Sequence, residues 1–255
     1  MVSAAPPASI RYVGHATVLV DIAGVKLLTD PLLRSRVTHL RRAAKVDPAV
    51  LRGVDAVLIS HLHYDHLDLP SLQRLGRDMP IVAPHGAGVL IRKKAAVKNV
   101  IEMREGEQIE IGSLTIRATH ASHDTGRMPF GVKAHPLGFL IEGGGHAVYF
   151  AGDTDLFDEM AALAPADVAL LPIWGWGPTM GPGHMDPAGA AQAAALLGAR
   201  LAIPIHWGTY YPIHLGMQGP PAFLKTPPAI FEEAVREYAP ATEVRVLQPG
   251  EATAL

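Results

Sequence analysis

The stretch Val54–His66 reads VDAVLISHLHYDH, and its two halves have opposite chemistry. Val54–Ser60 is a near-continuous apolar run, the pattern of a strand buried on both faces. His61, His63, Asp65 and His66 follow directly, in the spacing H-x-H-x-D-H. At the carboxyl end of a buried strand the chain changes direction and side chains converge on a crevice, where α/β proteins bind ligands. Residues two apart in extended chain share a face, so His61 and His63 can meet one ion. Asp65 and His66 lie around the turn and can point to a second ion. Neutral imidazole and carboxylate suit zinc, manganese or iron(II). For a lone histidine, a polar turn with an N-capping Asp is the better reading. Three histidines and an aspartate in one turn after an apolar strand argue for metal.

The rest of the composition agrees. The chain has 255 residues, 49% hydrophobic and 18% charged, with formal net charge −2. Such a chain can bury enough apolar surface to offset its ordering entropy, which excludes disorder. The near-cancelling charges disfavour a nucleic-acid partner bound by bulk electrostatics. No apolar run approaches the roughly 20 residues of a membrane span. MVSAAPPASIRYVG lacks the basic start and apolar core of a signal peptide, so a cytoplasmic location is expected. Cysteine is absent while histidines number 13, so any metal must be held by His, Asp and Glu.

Ile10–Val13, Thr17–Ile22 and Val25–Thr29 are short, β-branched-rich segments separated by Gly14 and Gly24, as hairpin strands are. A helix is predicted over Leu69–Leu75, closed by Gly76, then a strand over Ile81–Ala83 and a helix over Gly86–Lys94. The second half repeats the alternation, with strands at Ile109–Ile111, Leu114–Thr119, Leu137–Ile141, Ala147–Phe150, Val168–Leu171, Leu201–Ile205 and Val244–Leu247. Asp186-Pro187 opens an alanine-rich helix ending near Gly198, and a last helix runs from about Pro228 to Tyr238. This order argues a layered α/β arrangement with mixed sheets. No linker divides the chain, so residues 1–255 read as one domain with two similar halves.

Further histidines and acids stand at strand ends. His120 and His123 follow Leu114–Thr119, Asp153 follows Ala147–Phe150 in YFAGDTD, and His206 follows Leu201–Ile205 in PIHWGTY. The ordered set H-x-H-x-D-H, later His, GDT and late His resembles the metallo-β-lactamase fold superfamily of metallohydrolases. More narrowly, YVGHATVLV, LLTDP, AGDTD, GPGHMDP and PIHWGTY are similar to the branch that contains ascorbate-6-phosphate lactonase and N-acylphosphatidylethanolamine-hydrolysing phospholipase D. The likeness runs from Arg11 to Gly250.

The resemblance implies an α/β, four-layer αββα sandwich of two mixed β-sheets flanked by helices. It implies His61, His63 and His123 on a first metal, Asp65, His66 and His206 on a second, and Asp153 bridging both. His123, with Arg127 four residues on, fits the family's spacing. His120 does not, and is expected to touch a ligand rather than an ion. Asp30 is expected to hold a ligating imidazole by its second nitrogen, with a plain Asp-Pro turn as the alternative. His15 is balanced between such a role and none.

Trp174–Asp186 reads as a long ordered loop, with Asp186 an N-cap and His184 reaching the substrate or protonating a leaving group. Trp174, Trp176 and Met180 line an apolar pocket or pack the loop down. Arg34, Arg36, Arg41 and Arg42 read as a solvated basic patch. The expected chemistry is attack by a metal-bridging hydroxide on an ester, lactone or phosphodiester, with Asp65 orienting it and accepting its proton. The cofactors would be two divalent ions, zinc foremost, with manganese or iron as alternatives. The partner would be a small-molecule or lipid-like substrate, and a homo-oligomer is compatible with the sequence. Two rival readings stand beside this one: a mononuclear-iron oxygenase on the same fold, and a non-catalytic metal-binding protein.

Overall fold

A computed structural model of the chain describes residues 8–127, 131–174, 181–215 and 224–255. Two seven-stranded sheets carry the fold. In spatial order the first comprises Ala252–Ala254, Ser9–Gly14, Thr17–Ile22, Val25–Thr29, Ala56–Leu58, Ile81–Pro84 and Val100–Met103. The second comprises Glu243–Val244, Leu201–Ile205, Val168–Pro172, His146–Phe150, Leu137–Gly143, Leu114–His120 and Gln108–Ile111. Each is mixed, with antiparallel hairpins on one side and parallel pairs on the other.

The apolar run Val54–Ser60 explains the layering. Ala56 and Leu58 join the core between the sheets, with Ile10 and Val18 from the first and Ile116 and Phe139 from the second. Val57 and Ile59 point the other way, into a second core with Leu72 of α1 (Leu69–Leu75) and Ile91 of α2 (Gly88–Ala95). Behind the second sheet lie α3 (Pro187–Leu196), through Ala190 and Ala194, and α4 (Pro227–Tyr238), through Phe231 and Val235. The result is a four-layer αββα sandwich. The helix starts follow their sequence signals. Asp68 caps α1 by accepting from the Ser71 amide at 3.1 Å, and Asp186 caps α3 by accepting from the Gly189 amide at 2.7 Å. Among the described residues no helix is long and apolar enough to cross a membrane.

Several elements depart from the expectation. Arg36–Val37, Leu40–Arg42 and Tyr210–Pro212 form a small third sheet, from strands too short to show a period. Val100–Met103 and Ala252–Ala254 are added strands, and Val244–Leu247 shrinks to Glu243–Val244. Arg42 is no part of a solvated patch. It is buried, and its guanidinium donates to the carbonyls of Val13 at 2.6 Å, Leu32 at 2.8 Å and Ala44 at 2.8 Å. With the Tyr210 hydroxyl, which accepts at 3.1 Å, these carbonyls satisfy the guanidinium and explain why a charge is tolerated there. Arg34 is also engaged, on the capping carboxylate of Asp68.

Strand direction positions the site. In the first sheet Ser9–Gly14, Val25–Thr29 and Ala56–Leu58 run the same way, and His15, Asp30 and His61 follow their carboxyl ends. In the second, Leu114–His120, His146–Phe150, Val168–Pro172 and Leu201–Ile205 share a direction, followed by His123, Asp153, Trp174 and His206.

Leu58 is fully buried between the sheets, so Leu58→Ala is expected to cost about 2–5 kcal/mol in urea unfolding with little change in slope. Ile230→Ala, on the exposed side of α4, should stay within about 0.5 kcal/mol. A loss at Leu58 no larger than at Ile230 would contradict the two-sided burial of this strand.

Candidate functional site

The strand ends bring two groups of side chains together. His61, His63 and His123 converge, with His61 Nε2 3.1 Å from His63 Nδ1 and His123 Nε2 3.0 Å from the same atom. Beside them His66 Nε2 and His206 Nε2 stand 3.3 Å apart, each 3.8–3.9 Å from Asp65 Oδ2. Asp153 Oδ2 joins this second group, 3.0 Å from His66 and 3.2 Å from His206. His184 Nε2 reaches to 3.7 Å from the same oxygen, and its ring meets that of His123 edge-on. His61, His63 and His123 have the makings of one metal-binding cluster, Asp65, His66 and His206 with His15 of another, and Asp153 is also within reach of His123 and His184.

At His61, His66, His123 and His206 the inward nitrogen is aimed by what the opposite nitrogen bonds. His66 Nδ1 donates to Asp30 Oδ2 at 2.7 Å, and His61 Nδ1 donates to Ser60 Oγ at 2.9 Å. Ser60 Oγ in turn donates to Asp30 at 2.5 Å. His123 Nδ1 donates to the Gly183 carbonyl at 2.7 Å, and His206 Nδ1 to that of Trp174 at 2.6 Å. A proton fixed on Nδ1 leaves Nε2 as the atom that can take a cation. His15 serves a carboxylate instead, with its Nε2 3.0 Å from Asp65 Oδ2.

The backbone is bent to achieve this. His15, Asp30 and His206 all adopt positive φ, at 62°, 32° and 61°, a region that costs a non-glycine residue about 1–3 kcal/mol. Surrounding bonds hold them there: the His15 amide donates to Thr209 Oγ1 at 2.7 Å, and the His15 carbonyl accepts from the His206 amide at 2.8 Å. Gly183, at φ 87°, is obligatory in a second sense, because a Cβ there would come 2.7 Å from His123 Nδ1.

Electrostatics divide the two groups. Burial holds His123 down to about 4 and His61 well below the ordinary imidazole value, so both are neutral at pH 7, as metal ligands must be. At His66 and His206 burial also opposes charge, but the Asp153 carboxylate outweighs it and raises both. Asp65 and Asp153 stay well below the usual carboxylate range despite burial, because of His66 and His206. A proton and a metal ion therefore compete for the Nε2 atoms beside Asp153.

A family model described as the beta-lactamase superfamily domain matches residues 26–207. The chain belongs to this superfamily. It is 38% identical to a metal-dependent hydrolase of Exiguobacterium sp. over 210 residues, 80% of this chain and 88% of the relative. It is 32% identical to N-acyl-phosphatidylethanolamine-hydrolyzing phospholipase D 1 of Caenorhabditis elegans, over 78% of this chain and 63% of that one. Among solved structures, the metallo hydrolase Igni18 of Ignicoccus hospitalis superposes with TM-score 0.74 at 28% identity, covering 98% of this chain and 99% of that one. The superfamily match spans His61 to His206 but leaves His15 outside it.

Of the residues singled out in the sequence, His61, His63, Asp65, His66, His123, Asp153 and His206 are brought together, with His184, Asp30 and His15 in contact with them. His120 is not among them. Its ring is half exposed, bonded to Glu105 Oε2 at 3.0 Å and edge-on to Phe157. Trp176 and Met180 lie outside the described residues. Ser60 was overlooked, although a ligating imidazole needs an acceptor and Ser60 is the next residue in the chain. The carbonyls of Gly183 and Trp174 leave no mark in a sequence. Arg127 adds a brace between the loops, donating to the carbonyls of Leu62 at 2.7 Å and Leu67 at 2.9 Å.

Asp30→Asn should weaken metal binding by about 10–100-fold, measured by competition with a chromophoric chelator, with the circular dichroism spectrum retained. An unchanged affinity would remove Asp30 from the support of the site.

Proposed function

We propose that this metal-dependent hydrolase of the metallo-β-lactamase superfamily works with two divalent ions, zinc foremost and manganese or iron(II) next, and cleaves an ester, lactone or phosphodiester bond. One observation carries the reading. Asp153 lies between the two groups, fully buried, and its second oxygen, Oδ1, has no hydrogen-bond partner among the described residues. A buried carboxylate oxygen without a partner costs several kcal/mol, on the order expected for an unpaired buried charge, unless a cation satisfies it. The imidazole spacings support the same view: two nitrogens on one tetrahedral ion with bonds of about 2.0–2.1 Å stand about 3.3 Å apart, close to the 3.0 and 3.1 Å here.

In this reading His61, His63 and His123 would hold the first ion and Asp65, His66 and His206 the second, with Asp153 available to both. Divalent ions held there supply Lewis acidity toward the substrate's carbonyl or phosphoryl oxygen and activate water at neutral pH. Asp65, kept ionised and fixed by His15, orients the attacking water and accepts its proton. His184 faces the cleft with a quarter of its side chain exposed, and donates a proton to the leaving oxygen. The likeness to the nematode phospholipase D favours a phosphodiester of a lipid-like molecule as the substrate.

Purified protein should carry close to two divalent ions by elemental analysis, and His66→Ala should lose one of them while staying folded. Retention of both ions and full activity in that variant would contradict the second site. His184→Gln should lower turnover by about 10²–10⁴ on a diester with a poor leaving group, and far less with a nitrophenolate, which departs unprotonated. Equal losses on both would leave His184 as a binding residue.

A further inference from the structure

Next to His123, outside the two ligand groups, the crevice between the sheets widens into a cavity of about 540 Å³. Its walls come from the ends of strands in both sheets: His85 after Ile81–Pro84, Met103 and Arg104 at the end of Val100–Met103, His120 at the end of Leu114–His120, and His135 before Leu137–Gly143. Met103 and Leu137 are each 1% exposed and make an apolar floor. The rim is different. His85, Arg104, His120 and His135 are all exposed, and the lining contains one acid, Glu105. That acid is already taken, 3.0 Å from His120 Nδ1. The Arg104 guanidinium and the His85 and His135 imidazoles form no hydrogen bond or ion pair among the described residues.

Three donors without a hydrogen-bond partner among the described residues, one of them a permanent cation, therefore ring an apolar floor that opens onto His123, and His85 also feels a neighbouring carboxylate, that of Glu102. Arginine recognises a carboxylate or phosphate through paired N–H donors, and imidazole adds donors at the same edge. We propose that this cavity is the subsite for a part of the substrate that carries an oxyanion on a short apolar stem, with Arg104 the residue that selects for the charge. This rests on the hydrolytic reading of the adjoining centre: the stem lies on Met103 and Leu137, the oxyanion meets Arg104, His85 and His135, and the scissile bond faces His123. Carboxylate and phosphate share this chemistry.

The test uses the zinc-loaded protein at low ionic strength, since exposed charges are screened by salt. Succinate and inorganic phosphate are titrated by calorimetry, and the ring resonances of His85 and His135 are followed by NMR. The subsite predicts that both resonances move on binding, and that Arg104→Ala weakens the better-bound anion on the order of tenfold, with Arg104→Lys intermediate. A larger effect on succinate assigns a carboxylate, and a larger effect on phosphate a phosphoryl group. In parallel, the ratio of kcat/KM for the p-nitrophenyl monoester of succinate to that for p-nitrophenyl butyrate should fall on the order of tenfold in Arg104→Ala, mainly through KM. Anion affinity unchanged in Arg104→Ala, with His85 and His135 unmoved, overturns the subsite even if both esters are hydrolysed. Hydrolysis of neither ester, nor of a lactone or bis(p-nitrophenyl) phosphate, with anion binding still dependent on Arg104, overturns the hydrolytic reading and leaves the subsite standing.

Discussion

Asp30 is a fully buried carboxylate, and its bonds reach both candidate ion positions. It accepts from the Ser60 amide at 2.7 Å, from Ser60 Oγ and from His66 Nδ1. Through Ser60 it also sets the ring of His61. A buried charge is tolerable only with its partners in place, so this one carboxylate locks together the ends of the strands Val25–Thr29 and Ala56–Leu58. The two sheets then present their loops to each other along one edge. The His123, His206 and Asp153 side chains arrive from the second sheet, with backbone carbonyls aiming both imidazoles.

Such a site works against the fold that carries it. Three of its residues sit at positive φ, the pKa values of His61 and His123 are pushed down and those of His66 and His206 up, and Asp153 keeps an oxygen without a partner among the described residues. Local rules broken together in one place are what a functional site looks like, with the stability supplied elsewhere. Here the apolar core between the sheets and the second core under α1 and α2 supply it.

The layers were legible because Val54–Ser60 is apolar at every position but Asp55 and Ser60, and only burial on both faces explains that. That the seven expected ligands converge was legible because each follows a strand, and strand ends can be read. The third sheet was not, since two- and three-residue strands show no period. Arg42 looked like its basic neighbours, because the carbonyls that bury it belong to segments far apart in the chain. His120 and His123 could not be separated by periodicity. Position decides between them: His120 ends its strand facing outward to Glu105, while His123 has turned into the cleft and found the Gly183 carbonyl. The cavity beside His123 draws on four segments, and no single motif announces it.

The proposed sharing of Asp153 between two ions is the point on which the rest of the reading turns. Anomalous diffraction from crystals of the metal-loaded protein, recorded at the edge of the bound element, tests it most directly. The account predicts two peaks, one among His61, His63 and His123 and the other among Asp65, His66 and His206, with Asp153 coordinating both. A single peak, or two peaks of which only one is touched by Asp153, would contradict it.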